Sequence, residues 1–161
     1  VGRSELERLL PGANHQGVVA RTRQVAALRE EALRELLQGL GQAPFLLILD
    51  GVQDPHNLGA IVRSAYGLGS AGLVLPQRRS AGVTGAVVRT SAGATEHLPI
   101  ARVGNLARGL QRLQEAGWWL VGATGEDGEA PEALDLADRV VVLLSPNHGK
   151  LRTVAKGVRI S

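Results

Sequence analysis

Between residues 50 and 65 the chain reads Asp50-Gly51-Val52-Gln53-Asp54-Pro55-His56-Asn57-Leu58-Gly59-Ala60-Ile61-Val62-Arg63-Ser64-Ala65. Asp, His, Asn and Arg crowd into a stretch that follows Phe45-Leu46-Leu47-Ile48-Leu49, a short apolar run of the kind that forms a strand buried on both faces. Polar groups where a buried strand gives way to a helix can converge on one substrate, which is why open α/β sheets bind ligands there. Asn57 falls at or next to the expected helix start, and Arg63 projects from the second turn, near the side of Gly59. A guanidinium gives up its proton too reluctantly to be a good general base, but it can clamp a phosphate or stabilise a forming alkoxide. Each residue also has a plain structural role open to it: Asn57 could cap the helix, Arg63 could face water, and His56 could shape the turn after Pro55. His15 and His97 are expected to be structural, and Asp50 to be a turn and cap residue.

The elements that must position these residues alternate clearly from residue 45 onward. Strands are expected at Phe45–Leu49, Gly72–Leu75, His97–Ile100, Trp118–Val121 and Arg139–Leu144. Helices are expected at Leu58–Leu68, Val83–Thr90 and Leu106–Ala116, the last capped by Asn105. Strand and helix alternating over short links imply parallel crossovers, hence an α/β domain with a parallel sheet and helices on both faces. Upstream, Gly17–Ala20 reads as a strand and Val25–Leu40 as an amphipathic helix, with a boundary at Gly39-Leu40-Gly41-Gln42-Ala43-Pro44. Gly125–Pro131 reads as an exposed loop.

Composition narrows the chemistry. There is no cysteine, which removes disulfides, thiolate metal sites and cysteine nucleophiles, and no metal is expected. One Phe, one Tyr and two Trp make aromatic stacking on single-stranded bases a poor main binding mode. Net charge is only +3, but sixteen of the eighteen cations are Arg, with Lys150 and Lys156 the exceptions. That choice fits an anionic partner, or equally a bias toward Arg in a heat-adapted source. No apolar run reaches the length of a bilayer span, and Val1-Gly2-Arg3-Ser4-Glu5 has no signal-peptide character, so the expected location is cytoplasmic. The absent initiator Met suggests that the sequence starts inside a longer chain.

The segment from Asp54 to Arg63, of the form D-P-x-N-x-G-x-x-x-R, resembles motif 1 of the SpoU/TrmH (SPOUT class) RNA ribose 2′-O-methyltransferases, and within them the bacterial 23S ribosomal RNA guanosine-2′-O-methyltransferases. His15-Gln16-Gly17-Val18-Val19-Ala20, Pro76-Gln77-Arg78-Arg79-Ser80-Ala81, Gly93-Ala94-Thr95-Glu96 and Gly122-Ala123-Thr124-Gly125-Glu126 stand at matching intervals. The resemblance implies an α/β-knot domain whose carboxyl end is threaded into a trefoil, S-adenosylmethionine as cofactor, RNA as substrate, and a homodimer. It implies catalytic roles for Asn57 and Arg63, with Asn57 orienting the guanidinium. Cofactor contacts are implied at Thr124, Gly125, Leu144, Ser145, Asn147 and Ile160, and RNA contacts at Arg63, His56, Arg78 and Arg79. It divides the chain into residues 1–40, the remnant of an amino-terminal RNA-binding domain and linker, and residues 41–161, the methyltransferase domain.

After Leu144 the family pattern G-x-E-G-x-G is replaced by Ser145-Pro146-Asn147-His148-Gly149-Lys150, and the sequence stops at Arg159-Ile160-Ser161, where a third motif would begin. Asn147 can hydrogen-bond but carries no charge to hold Arg63, and Pro146 deletes an amide. The knot segment is therefore expected to be truncated. The leading expectation is methylation of a ribose 2′-hydroxyl in ribosomal RNA. The alternative is a non-catalytic RNA-binding or ribosome-assembly factor that kept the fold and lost the cofactor site. A dinucleotide-binding enzyme fits poorly, since no G-x-G-x-x-G follows the Phe45 strand.

Overall fold

Parallel pairing dominates the architecture. The computed structural model describes residues 2–12, 14–20, 27–40, 44–123, 139–144 and 159–160, the side chains of 30, 159 and 160 excepted. In chain order the elements are α1 (Arg3–Leu9), α2 (Glu30–Gln38), β1 (Phe45–Leu49), α3 (Pro55–Gly67), β2 (Gly72–Pro76) and α4 (Gly85–Thr90). A 3-10 turn (Ala94–Glu96) then leads to β3 (Ile100–Val103), α5 (Leu106–Glu115), β4 (Trp119–Ala123), β5 (Val140–Leu144) and β6 (Arg159–Ile160). The strands form one sheet in the order β3-β2-β1-β5-β4-β6, with every pairing parallel.

The continuous apolar runs have a simple cause. Side chains of a strand alternate between faces, and both faces here are covered. Leu46 and Ile48 of β1 pack with Leu33 and Leu37 of α2 and Leu110 of α5. Leu47 and Leu49 pack with Leu58, Val62 and Ala65 of α3 and Val87 of α4. Burying a leucine or isoleucine fully contributes about 1.5–3 kcal/mol, so these two layers fix the sheet between them.

Several boundaries differ from the sequence expectation, for local reasons. Gly17–Ala20 is not a strand: Gln16 and Gly17 both have positive φ, the Val18 amide donates to the His15 carbonyl at 2.9 Å, and Val18 is 74% exposed. The helix expected over Val25–Leu40 is confined, among the described residues, to Glu30–Gln38. Leu28 instead bridges to β3, donating to the Ile100 carbonyl and accepting from the Arg102 amide, which commits both its backbone groups to the sheet. The strand expected at His97–Ile100 starts at Ile100, because the amides of His97 and Leu98 still donate to the Ala94 carbonyl of the preceding turn. The second helix begins at Gly85, leaving Val83 buried ahead of it. Asn105 does cap α5, its side chain accepting from the Arg108 amide at 3.0 Å.

Candidate active site at the switch between β1 and β5

From β1 the chain moves outward through β2 to β3, then returns to the other side of β1 for β4 and β5. The order reverses between β1 and β5, and at such a reversal the crossovers leave opposite faces and open a crevice at the carboxyl ends of the strands. The two strands stay joined to their last residues: Leu49 pairs with Leu144, and the Asp50 amide donates to the Leu144 carbonyl at 2.9 Å. Gly51, at φ 86°, then turns the chain, a conformation that costs glycine little.

α3 starts from this end of the sheet. Asp54 is its cap, the side chain accepting from the His56 amide at 3.0 Å, with Pro55 as first helical residue. The capping role open to Asn57 and to Asp50 therefore belongs to Asp54. Asn57 is the third helical residue and is exposed. His56, Gly59 and Arg63 fall three and four residues apart and share one stripe of α3. Gly59 is buried against α4, while His56 and Arg63 are exposed above and below it. His56 Nδ1 lies 3.4 Å from Thr90 Oγ1, and that hydroxyl donates to the Ala86 carbonyl. Asn57 and Arg63 sit about 120° apart around the helix, and no hydrogen bond joins them among the described residues.

The loop leaving β2 carries Arg78 and Arg79, both exposed, the latter at φ 60°. It is tied to the loop leaving β1, since the Ala81 amide donates to the Val52 carbonyl at 2.9 Å. Arg102 of β3 donates to the Gln77 carbonyl at 2.8 Å beneath it.

Of the positions expected to meet a cofactor, Leu144 ends β5 half-buried, its carbonyl held by Asp50. Ile160 pairs with Gly122 at the far side of β4. Thr124, Gly125, Ser145 and Asn147, the Gly125–Pro131 loop and the expected knot segment lie outside the described residues. The register Ala123↔Leu144 nevertheless brings the ends of β4 and β5 level, so the chain leaves both at one edge. His15 and His97 have structural settings: His15 Nδ1 accepts from the Gly17 amide, and the His97 ring stacks on Tyr66 at 5.4 Å.

An apolar cavity of about 250 Å³ lies between α2 and α5, floored by Ile48, Val74 and Trp118. It opens on the opposite face of the sheet from α3, away from the motif residues. Among the described residues, no group of three His, Asp or Glu could hold a metal ion, and no helix is long and apolar enough to cross a membrane.

Sequence reading missed the capping role of Asp54 and the contacts of Thr90 and Arg102. Asp-Pro at a helix start is a recognisable cap signature, and an Arg inside an otherwise apolar strand, Ile-Ala-Arg-Val, was a visible anomaly. Thr90 gave no signal, because its role follows from how α3 and α4 pack.

The model of the SpoU rRNA Methylase family matches residues 44–146, which span β1 to the end of β5. The chain belongs to the SpoU rRNA methylase family. Among relatives of this SpoU domain, the 23S rRNA (guanosine-2′-O-)-methyltransferase RlmB of Xylella fastidiosa is 41% identical over 145 residues, covering 90% of this chain and 58% of that protein. The putative TrmH family tRNA/rRNA methyltransferase YacO of Bacillus subtilis is 44% identical, covering 83% of this chain and 57% of its own length. The SpoU chain thus spans little more than half of these curated relatives. Among solved structures, the AdoMet-bound rRNA methyltransferase from Sinorhizobium meliloti superposes with a TM-score of 0.62 at 26% identity, over 74% of this chain and 47% of that one. The SpoU methyltransferase AviRb from Streptomyces viridochromogenes, at 24% identity and a TM-score of 0.64, shares the fold over 76% of this chain and 49% of its own.

Proposed function

We propose that the protein to which this chain belongs methylates a ribose 2′-hydroxyl of 23S ribosomal RNA, at a guanosine, using S-adenosylmethionine. The observation that carries the reading is the origin of the Asp54–Arg63 segment: it leaves the carboxyl end of β1 beside the β1/β5 reversal, in a SpoU family domain. The Xylella fastidiosa relative acts on 23S ribosomal RNA by its name, and the AdoMet-bound neighbour supports the cofactor.

Bound at the crevice, S-adenosylmethionine supplies a methyl group on a sulfonium. The residues to hold it are Thr124 and Gly125 after β4, Leu144, Ser145 and Asn147 at and after β5, and Ile160 of β6. The level ends of β4 and β5 suit such a set, because turns leaving one edge can meet on a single ligand. What remains for the protein is to align the ribose hydroxyl, ease the loss of its proton and keep water out. The guanidinium of Arg63 stabilises the developing alkoxide and the adjacent phosphate. Asn57 and His56, at the mouth of the crevice, orient the ribose and its phosphate, and Arg78 and Arg79 grip the RNA backbone. The working unit in this reading is a cytoplasmic homodimer, with residues 1–40 leading from an amino-terminal RNA-binding domain.

One feature favours a second reading, an RNA-binding factor without catalysis: Ser145 and Asn147 replace the glycine and acid of the related motif. Calorimetry on the full-length protein separates the two. Saturable binding of S-adenosylmethionine with methyl transfer to 23S RNA is expected. Tight RNA binding with no heat from the cofactor would favour the factor and overturn the enzyme.

A further inference from the structure

We infer that Arg102 is a positioning residue, whose guanidinium sets the Gln77–Ala81 loop so that Arg78 and Arg79 face the RNA. The inference rests on the reading of those two arginines as RNA contacts.

Arg102 is the third residue of β3 and stands opposite Leu75, next to last in β2. Its neighbours Ala101 and Val103 are buried in the core under α2 and α5, while Arg102 itself is only partly buried. One nitrogen of the guanidinium, Nη2, donates to the Gln77 carbonyl at 2.8 Å and reaches the Pro76 carbonyl at 3.3 Å and Ser80 Oγ at 3.4 Å. The Ser80 hydroxyl donates to the Pro76 carbonyl at 2.6 Å, which leaves its lone pairs facing the guanidinium. Both ends of the Arg78-Arg79 pair are therefore anchored to one cation on the neighbouring strand.

Two further observations fit a device for holding the loop. Arg79 adopts φ 60°, which residues other than glycine keep only where their surroundings fix them. Arg102 Nε is buried with no hydrogen-bond partner, so the guanidinium's polar contacts among the described residues are all spent on this loop. An apolar side chain of similar bulk could fill the space but has no donor to offer these oxygens. The bond from the Ala81 amide to the Val52 carbonyl carries the arrangement on to the loop that precedes Asn57 and Arg63.

The test is a double-mutant cycle on the full-length protein, read as affinity for a 23S RNA fragment across a salt series and as methyl-transfer kinetics. R78A/R79A is expected to weaken RNA binding and to reduce the salt slope by about 0.7 for each phosphate of single-stranded RNA that is no longer neutralised. R102A alone is expected to raise the RNA Kd and KM about tenfold, a coupling within the range that touching residues show, with kcat and the cofactor Kd unchanged. Added to R78A/R79A, R102A should cause no further loss. R102K, which keeps the charge and a single donor nitrogen, should recover part of the affinity, and it carries the same cycle if R102A does not fold. An additive loss, or a fall in cofactor affinity equal to that for RNA, would overturn the role of Arg102. Unchanged RNA binding in R78A/R79A would instead overturn the underlying reading of the loop.

Discussion

Gly59 of α3 and Thr90 of α4 approach so closely that a methyl group on the glycine would stand 2.6 Å from the threonine Cβ, with the Val87 carbonyl at 3.0 Å and the Ser91 nitrogen at 3.1 Å. Two of those neighbours are backbone and cannot rotate away. Gly59→Ala is therefore expected to destabilise the protein by about 1–2 kcal/mol, because overpacking outweighs the gain in helix propensity. Gly109→Ala, in α5 with nothing within 4 Å of its Cβ, should stabilise by about 0.5–1 kcal/mol. Urea midpoints of the two variants, moving in opposite directions, check the packing of α3 on α4.

The glycine in the N-x-G spacing is thus a packing requirement, and that was not legible in the sequence. What the sequence showed was β1, β2, β4 and β5, because each is largely buried and so reads as an apolar run, whereas β3, with Arg102 inside it, was placed too early. It also showed where β1 meets α3, since polar residues interrupt that run abruptly. Boundaries set by a distant partner escaped it. Leu28 keeps the upstream helix from starting before Glu30 by bridging to Ala101, and nothing near Leu28 announces that pairing. Arg102 was overlooked because its acceptors belong to a loop about 25 residues away.

Asp54 is expected to hold the first turn of α3. Asp54→Ala should cost about 1 kcal/mol through the lost bond to the His56 amide, and Asp54→Asn much less, since the amide oxygen can still accept. Thermal denaturation of the pair measures this. Equal losses would mean that the charge at the helix start matters more than the hydrogen bond.

The face that α3 turns to the sheet predicts a contrast between two leucines. Leu58 is fully buried and Leu68, at the end of the same helix, is 76% exposed. Leu58→Ala should lose about 2–5 kcal/mol and Leu68→Ala no more than about 0.5 kcal/mol. Comparable losses in the two variants would contradict the assignment of the buried face.

Arg63 carries the central claim, and it is exposed, so its removal should leave the fold intact. The most direct measurement is transfer of labelled methyl from S-adenosylmethionine to 23S RNA by the full-length protein, followed by alkaline hydrolysis, which a 2′-O-methylated linkage resists. Wild type should yield one labelled, alkali-resistant dinucleotide, and a folded Arg63→Ala should lose about 10²–10³-fold in rate. Label in alkali-labile products, or an undiminished rate in Arg63→Ala, would contradict the account.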